Sequence, residues 1–253
     1  MTISSRDWLH YVEMLSKVSQ QAALELRRWA FNRGTIHAIE RQELIDYTYA
    51  LVTKYGESTG ALAAAWYDTI AEAAGRIYEA AEPAATATYQ EVAKAVNGTL
   101  KQSQNEDVLL GTVERLVKMP GVDTTLRNSI RDGAEVAWIP HGDTCAFCLA
   151  LASRGWQTAS PRLIRNGHAE HVHANCDCTY AVRFDDSTDV AGYDPDAYRA
   201  MYDAAPGRDS TDKINAMRRE FYAQNRERIR AQQADAYQKR MELNSSRAEE
   251  ADV

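Results

Sequence analysis

All four cysteines of the chain occur in two close pairs, C-x₂-C and C-x-C, and a histidine precedes the second pair. Thiolate sulfur and imidazole nitrogen are the ligands that zinc takes in structural sites, usually four of them in a tetrahedron. The sequence therefore predicts a metal site, and zinc is the metal that this ligand set favours. The five candidate ligands are Cys145, Cys148, His173, Cys176 and Cys178.

The spacing within each pair suits a single shared ion. A C-x₂-C step forms a tight turn in which both sulfurs face one cation, and Asp143 and Thr144 could hold that turn through hydrogen bonds to the backbone. In the C-x-C step, an extended chain places both side chains on one face. Four protein ligands leave no open position for a substrate or water. We therefore expect one structural zinc ion per chain, no catalytic residues, and no enzymatic activity.

Three other interpretations of these residues stay open. The cysteines could be buried and reduced without a metal, or could do redox chemistry, although a redox C-x-x-C site needs a strand and a helix start that the sequence does not predict here. The cluster of His168, His171 and His173 could belong to a His-Asn-His nuclease. No Asn and later His follow Cys178 at helical spacing, which weighs against that class.

The charge and composition of the chain exclude several function classes. The formal net charge is −7, so a general positive field that would coat nucleic acid is absent. Apolar runs are short, and the first residues lack the basic and then apolar pattern of a secretion signal. We expect a soluble protein of a reducing cytoplasm, with no membrane contact and no disulfides.

Residues 1–137 read as a series of helices rich in Ala, Leu, Glu and Arg, without strands. The pattern predicts a break at "KYGEST", an N-cap at Ser58, and a kink or a new helix at Pro83. "MPG" and "PHGD" are expected to end the last two helices of this region. The predicted helices cover Ser5–Phe31, Ile36–Lys54, a segment from Ser58, Glu106–Lys118 and Asp123–Trp138.

Residues 138–185 are rich in Gly, Pro, His, Cys, Asn and Asp, which is typical of loops. "CTYAVRF" predicts one short strand there, and "DDSTDVAGYDPD" predicts a linker. Helices should follow at Pro195–Ala204 and Thr211–Asn244, the second capped by Ser210 or Thr211. The predicted fold is mainly α, with an N-terminal helical bundle over 1–137, a small loop module held by zinc over 138–185, and a linker and helical tail over 186–253.

The long C-terminal helix carries a local excess of positive charge. Residues 213–240 contain eight Lys or Arg and three acidic residues, beside a narrow apolar stripe. Such a helix could contact packaged DNA, dock on a protein partner, or stay solvated. The stripe consists of Ile214, Met217, Phe221, Ile229 and Tyr237.

The segments "C-x-F-C-x-x-L-A-S-R-G" and "H-A-N-C-D-C-T" resemble the minor head protein family of tailed bacteriophages, the group similar to the head-morphogenesis protein F of phage Mu. By position, the five candidate ligands occupy that family's Cys/His motif. The resemblance implies a minor capsid protein in the head interior, made in the host cytoplasm, which contacts the portal or the major capsid protein. It also implies a role in head assembly or genome delivery, without a small-molecule substrate.

Overall fold

The fold was obtained as a computed structural model, and it confirms a mainly helical chain with a few short strands. The residues described are 2–103, 105–141, 144–169, 172–173 and 176–251, without the side chains at 228–229, 232–233 and 235–251. Two residues named in the sequence analysis lie outside the described residues: Asp143, a candidate for holding the C-x₂-C turn, and His171, a candidate of the nuclease interpretation.

Four long helices form the N-terminal region. The first, α1, begins where Ser4 accepts a hydrogen bond from the backbone N–H of Asp7, and its predicted bounds are confirmed. Its buried side chains recur at steps of three and four residues, so that one face packs on α2 and α4. The four helices are α1 (Ser5–Phe31), α2 (Arg41–Ala73), α3 (Tyr89–Gln102) and α4 (Glu106–Asp132).

The predicted break at "KYGEST" is wrong, because α2 runs unbroken through it. Gly56 lies where the helix closely approaches its neighbours: a Cβ atom there would stand 2.9 Å from Cγ2 of Thr86 and 3.3 Å from Cγ of Pro120. Ser58 is not a cap, since its hydroxyl donates to the carbonyl of Lys54 within the helix. Gly56 therefore permits close packing instead of ending the helix.

The predicted stop at "MPG" is also wrong, because Pro120 lies inside α4. A proline in a helix weakens the hydrogen bonds of the preceding turn. Here the hydroxyl of Thr59 on α2 donates to the carbonyl of Val117 at 2.6 Å. A Cβ on Gly121 would stand 3.2 Å from the Thr59 carbonyl oxygen, so the two helices are in close contact at this point. Tertiary contacts therefore carry α4 through its proline.

Helix α4 ends six residues before the predicted end at Trp138, with Gly133 in the left-handed region at φ 65°. The following residues form a strand where the sequence interpretation expected none. At Pro83 the structure has neither a kinked helix nor a helix start, because residues 76–88 carry no helix or strand. Asn128 and Thr124 on α4 bind the backbone of that segment at Glu82 and Ala84.

In the described part of residues 1–199, seven short strands accompany the helices. The central strand β2 pairs antiparallel with β3 and β6, and β6 confirms the strand predicted in "CTYAVRF". Strands β4 and β5 form a hairpin, and β1 pairs parallel with β7. The strands are β1 (Thr2–Ile3), β2 (Glu135–Ile139), β3 (Gln157–Thr158), β4 (Ile164–Arg165), β5 (His168–Ala169), β6 (Thr179–Arg183) and β7 (Asp189–Val190).

The segment predicted as a linker is packed in part. Val190 in β7 is buried, and the hydroxyl of the buried Tyr193 donates to the carbonyl of Ala152 at 2.7 Å. The chain divides into two compact units, Met1–Arg199 and Ala200–Val253. The predicted boundaries after residues 137 and 185 stay predictions.

Two helices close the chain, α6 (Pro195–Ala204) and α7 (Ser210–Ala251), and the predicted bounds of α6 are confirmed. The cap of α7 is neither Ser210 nor Thr211. Asp209 takes that place, because its carboxylate accepts from the N–H of Asp212 and its carbonyl from the N–H of Lys213. None of the helices in the described part of the chain is long and apolar enough to cross a bilayer.

Candidate metal centre

The first cysteine pair is positioned by a short helix, α5 (Ala146–Ala152). Cys145 is the residue before the helix, and its carbonyl accepts a hydrogen bond from the N–H of Leu149 at 3.1 Å. Cys148 lies one turn further on and is fully buried. Residues three apart lie on the same face of a helix, so the local fold turns both sulfurs in one direction.

The second pair lies on the chain segment that enters β6. Cys176 and Cys178 flank Asp177, and this extended segment runs directly into Thr179, the first residue of β6. The Sγ atom of the buried Cys178 accepts a hydrogen bond from the backbone N–H of His141 at 3.3 Å. The strand pairing of β2 and β6 therefore fixes where this pair stands relative to the end of α4.

The structure brings all five predicted ligands together. The Nε2 atom of His173 lies 3.6 Å from Sγ of Cys145 and 3.1 Å from Sγ of Cys148. The Sγ atoms of Cys148 and Cys176 are 3.4 Å apart. The donor atoms form two overlapping groups, each with all members within 4.8 Å of one another. The groups are Cys145, Cys148 and His173, and Cys148, Cys176 and Cys178.

These separations suit a tetrahedral ion. With a zinc–sulfur bond of about 2.3 Å, two ligand atoms of a tetrahedral site stand about 3.5 to 3.8 Å apart. The three separations given above are equal to or slightly shorter than that edge length. All four cysteines are free thiols, so no disulfide competes for the sulfurs. The donor set and its spacing therefore fit a divalent cation that takes nitrogen and sulfur ligands.

Two of the four thiols, those of Cys145 and Cys176, favour the deprotonated form, and the imidazole of His173 favours the charged form. A hydrogen bond from Cys148, supported by His173, lowers the pKa of Cys145 to about 4. The pKa of Cys176 is also lowered, first by Cys148 and then by Cys178. Hydrogen bonds to Cys145 and Cys176 raise the pKa of His173 to about 10. Negative charge thus collects at the sulfurs, where a proton or a metal cation can neutralise it.

The two buried cysteines retain their protons more strongly when no cation is present. Hydrogen bonds to the neighbouring sulfurs, that of Cys145 first, raise the pKa of Cys148. The contact with Cys148 lowers the pKa of Cys178, but the hydrogen bond to Cys176 and burial outweigh it and raise that pKa to about 12. Metal binding would therefore release a proton from Cys148, and one from Cys178 where that residue is the fourth ligand.

Side chains outside the predicted set hold the ligands in place. Lys118 on α4 donates to the carbonyl of Cys176 at 3.0 Å and forms an ion pair with Asp177. The hydroxyl of Thr144 donates to the carbonyl of His141 at 3.2 Å, as expected for a residue that holds the turn. The ring of Phe147 meets that of His173 edge to face at 5.8 Å. Lys118 could not be found from the sequence, because it lies 58 residues before Cys176.

An apolar cluster supports the centre from behind. Cys148 and Cys178 belong to it, together with Trp138 of β2 and Tyr180 of β6, whose rings meet edge to face at 4.9 Å. Leu126 connects the cluster to α4. The ligands therefore stand at the edge of a packed layer, where movement of the sulfurs is restricted.

His168 of the nuclease interpretation lies apart from the cysteines. Its Nδ1 is 2.5 Å from Oδ2 of Asp123, and its Nε2 is 3.0 Å from Oε1 of Glu91. Both ring nitrogens are thus engaged by carboxylates. Of the three histidines in that proposal, only His173 stands among the metal-binding candidates within the described residues.

Comparison with protein families gives one match that spans most of the chain. The model described as VG15 protein matches residues 2–205, which include all of the elements that position the metal centre. No curated protein and no solved structure matches the chain significantly.

Proposed function

This chain belongs to the VG15 protein family, which is a family of viral proteins. From that membership and the geometry of the metal centre, we propose that the chain is a structural minor protein of a phage head and carries one structural zinc ion. The zinc ion would join α5 to the strand β6. The protein would act by assembly with the portal or the major capsid protein in the head interior, and not by turnover.

The observation that carries this proposal is the closed ligand set. Five nitrogen and sulfur donors lie in two overlapping groups that share Cys148, and two of the five residues are buried among apolar residues. A catalytic zinc site takes three protein ligands and keeps the fourth position for water or substrate. Here the protein alone can fill all four positions, which favours a structural role.

The zinc ion would supply folding energy to a region with little regular structure. Cys148 belongs to both donor groups, so any set of four ligands that draws on both groups through their shared member includes it. Cys145 and Cys148 would anchor the ion to α5, and Cys176 would anchor it to the chain that enters β6. Either His173 or Cys178 would complete the set.

Metal analysis tests the zinc site. We expect about one zinc per purified chain, lost in Cys148→Ser and retained in His10→Ala, an exposed histidine that serves as a matched control for His173→Ala. Comparing His173→Ala with Cys178→Ser identifies the fourth ligand, because only the true ligand should lower zinc affinity strongly. A chain without zinc whose four thiols all titrate freely in the native state would rule out the site.

Composition of purified heads tests the assembly role. We expect the chain in intact heads at few copies, and we expect heads made without it to be incomplete or non-infectious. Its presence in the lysate but not in heads of normal yield would contradict the proposal. A plasmid-nicking assay covers the nuclease alternative, which predicts metal-dependent cleavage that His173→Ala abolishes.

The long helix α7 offers a route to partners. Its segment 213–240, a candidate contact for packaged DNA or for a protein partner, carries the excess of basic residues. Contact with DNA would weaken steeply with salt and on charge reversal of Arg218, Arg219 and Arg226, because each neutralised phosphate releases counterions. Docking on a protein would instead depend on Phe221, since buried apolar anchors carry most interface energy.

A further inference from the structure

A cavity of about 510 Å³ lies between α3, α4 and the hairpin of β4 and β5. Its size is within the range of sites that hold small molecules. Two helices form one side, with residues at helical spacing: Lys94, Gly98 and Gln102 on α3, and Thr112, Arg115 and Met119 on α4. The cavity therefore follows from the packing of regular elements.

Arg115 is the residue of this cavity that most needs a partner. It is partly buried, and burial lowers the pKa of its guanidinium group. Its side-chain polar contact is a bond of 3.4 Å to Sδ of Met119, a weak acceptor. No acidic side chain of the described residues forms an ion pair with it. A cation withdrawn from water without a counterion is costly, and an anion in the cavity would remove that cost.

The opposite wall is a tight hairpin. Asn166 and Gly167 form its turn with φ of 52° and 86°, as a two-residue hairpin loop requires. Arg165 and His168 are direct partners across the two strands, so both line the cavity. The two carboxylates that bind His168 hold this wall against α3 and α4.

The lining has the composition of an anion site. Among the described lining residues, the cationic side chains of Lys94 and Arg115 stand against one carboxylate, Glu91. That carboxylate already accepts hydrogen bonds from Thr88 and lies against His168. This local positive charge stands in a chain whose net charge is −7.

We propose that this cavity binds a phosphoryl group. The planar fork of Arg115 can bind two oxygens of one phosphoryl group, and Lys94 supplies a second charge. Thr99 and Thr112, whose hydroxyl oxygens are 3.0 Å apart across the two helices, add to the polar lining. The group could belong to a free phosphate compound or to the backbone of a nucleic acid, and the site does not depend on the head function proposed above.

Calorimetric titration at fixed ionic strength tests the site, with inorganic phosphate, pyrophosphate and a short single-stranded oligonucleotide as probes. We expect saturable binding of pyrophosphate or oligonucleotide by the full chain. Arg115→Gln should weaken it about tenfold or more, which is the size expected for loss of a charge-assisted bidentate contact. Lys94→Gln should weaken it several-fold.

The controls are Lys101→Gln, on the same exposed side of α3 but outside the lining, and Arg76→Gln, an exposed arginine elsewhere. Both should bind as the unaltered chain does. Since Lys94 is exposed, its variant keeps the test valid if Arg115→Gln fails to fold. Loss of oligonucleotide binding with Arg115→Gln identifies a nucleic acid backbone; an effect on pyrophosphate alone identifies a free phosphate compound. Absence of binding, or equal weakening by the control variants, would overturn the proposal.

Discussion

The helical bundle and the Cys/His module of the first unit fix their backbones in different ways. In the bundle, helices of up to 33 residues bury long apolar faces, and Leu26, Leu44 and Leu109 are fully enclosed. In the module, the longest strands have five residues and α5 has seven. Such short elements bury only a few side chains each, among them Trp138 and Tyr180. Hydrophobic packing along long helices holds the bundle, whereas in the module the proposed metal ion would add a side-chain cross-link to the packing of short elements.

Metal removal should separate the two regions most clearly. We expect a strong chelator to raise amide hydrogen exchange about 100-fold in residues 141–183, because metal binding there supplies local folding energy. Exchange in α1 to α4 should change little. Hydrogen exchange with mass spectrometry measures both regions in one sample. An equal rise in both regions would show that the module and the bundle unfold together.

A core substitution in the bundle should destabilise the bundle and leave the metal centre intact. Leu26→Ala removes a fully buried side chain and should lower the free energy of unfolding by about 3 kcal/mol, as large-to-small core changes do. Zinc content at native conditions should stay at the level of the unaltered chain. Urea denaturation and metal analysis give the two values. Loss of zinc in this variant would contradict the separation of the two regions.

Two glycines of the bundle distinguish close packing from helix propensity. Gly98→Ala should stabilise by about 0.5 to 1 kcal/mol, because a Cβ there has no atom within 4 Å. Gly56→Ala should destabilise by about 1 to 2 kcal/mol, since the same methyl would meet Thr86 and Pro120. Thermal unfolding of the pair measures the contrast. Stabilisation by both substitutions would show that α2 has room at Gly56.

His168 links the bundle to the hairpin through a charge that depends on pH. Its contacts, first with Asp123, raise its pKa in the folded chain. Its contribution to stability is therefore complete below the unfolded pKa of about 6.5 and is lost as pH rises through the higher folded pKa. We expect His168→Gln to cost about 1 kcal/mol more at pH 5.5 than at pH 9. Urea denaturation at both pH values checks it, and a pH-independent cost would show that the imidazole acts only by packing.

Local signals made part of the fold predictable. The repeat of apolar residues in α1, the aromatic and β-branched run of β6, and the proline start of α6 each lie within one element, and all three predictions are confirmed. The grouping of the five ligands could also be expected from spacing, because the turn and the extended step act over a few residues. The ion itself and the four-ligand set stay predictions.

The two wrong helix breaks share one physical cause, which is contact between distant segments. Gly56 and Pro120 would interrupt isolated helices, yet here they lie against each other across α2 and α4. Lys118 and Asp123 acquire their roles only from partners far along the chain. One error has a local cause. Asn166 and Gly167 lie between two short segments of alternating apolar and polar residues, a pattern typical of a hairpin turn, and that turn places Arg165 and His168 together.

The pairing of β1 with β7 bears on the order in which the first unit assembles. The hydroxyl of Ser5 and the carbonyl of Ala191, which flank this pair, are 186 residues apart in sequence and 3.0 Å apart in space. The length-dependent part of the free energy of closing a flexible loop of that length is about 5 kcal/mol. This cost exceeds the stabilisation that two pairs of strand residues provide. The contact forms only when the intervening helices and strands have already brought its ends together. We therefore expect this contact to form late in folding, which would make it a reporter of the completed unit.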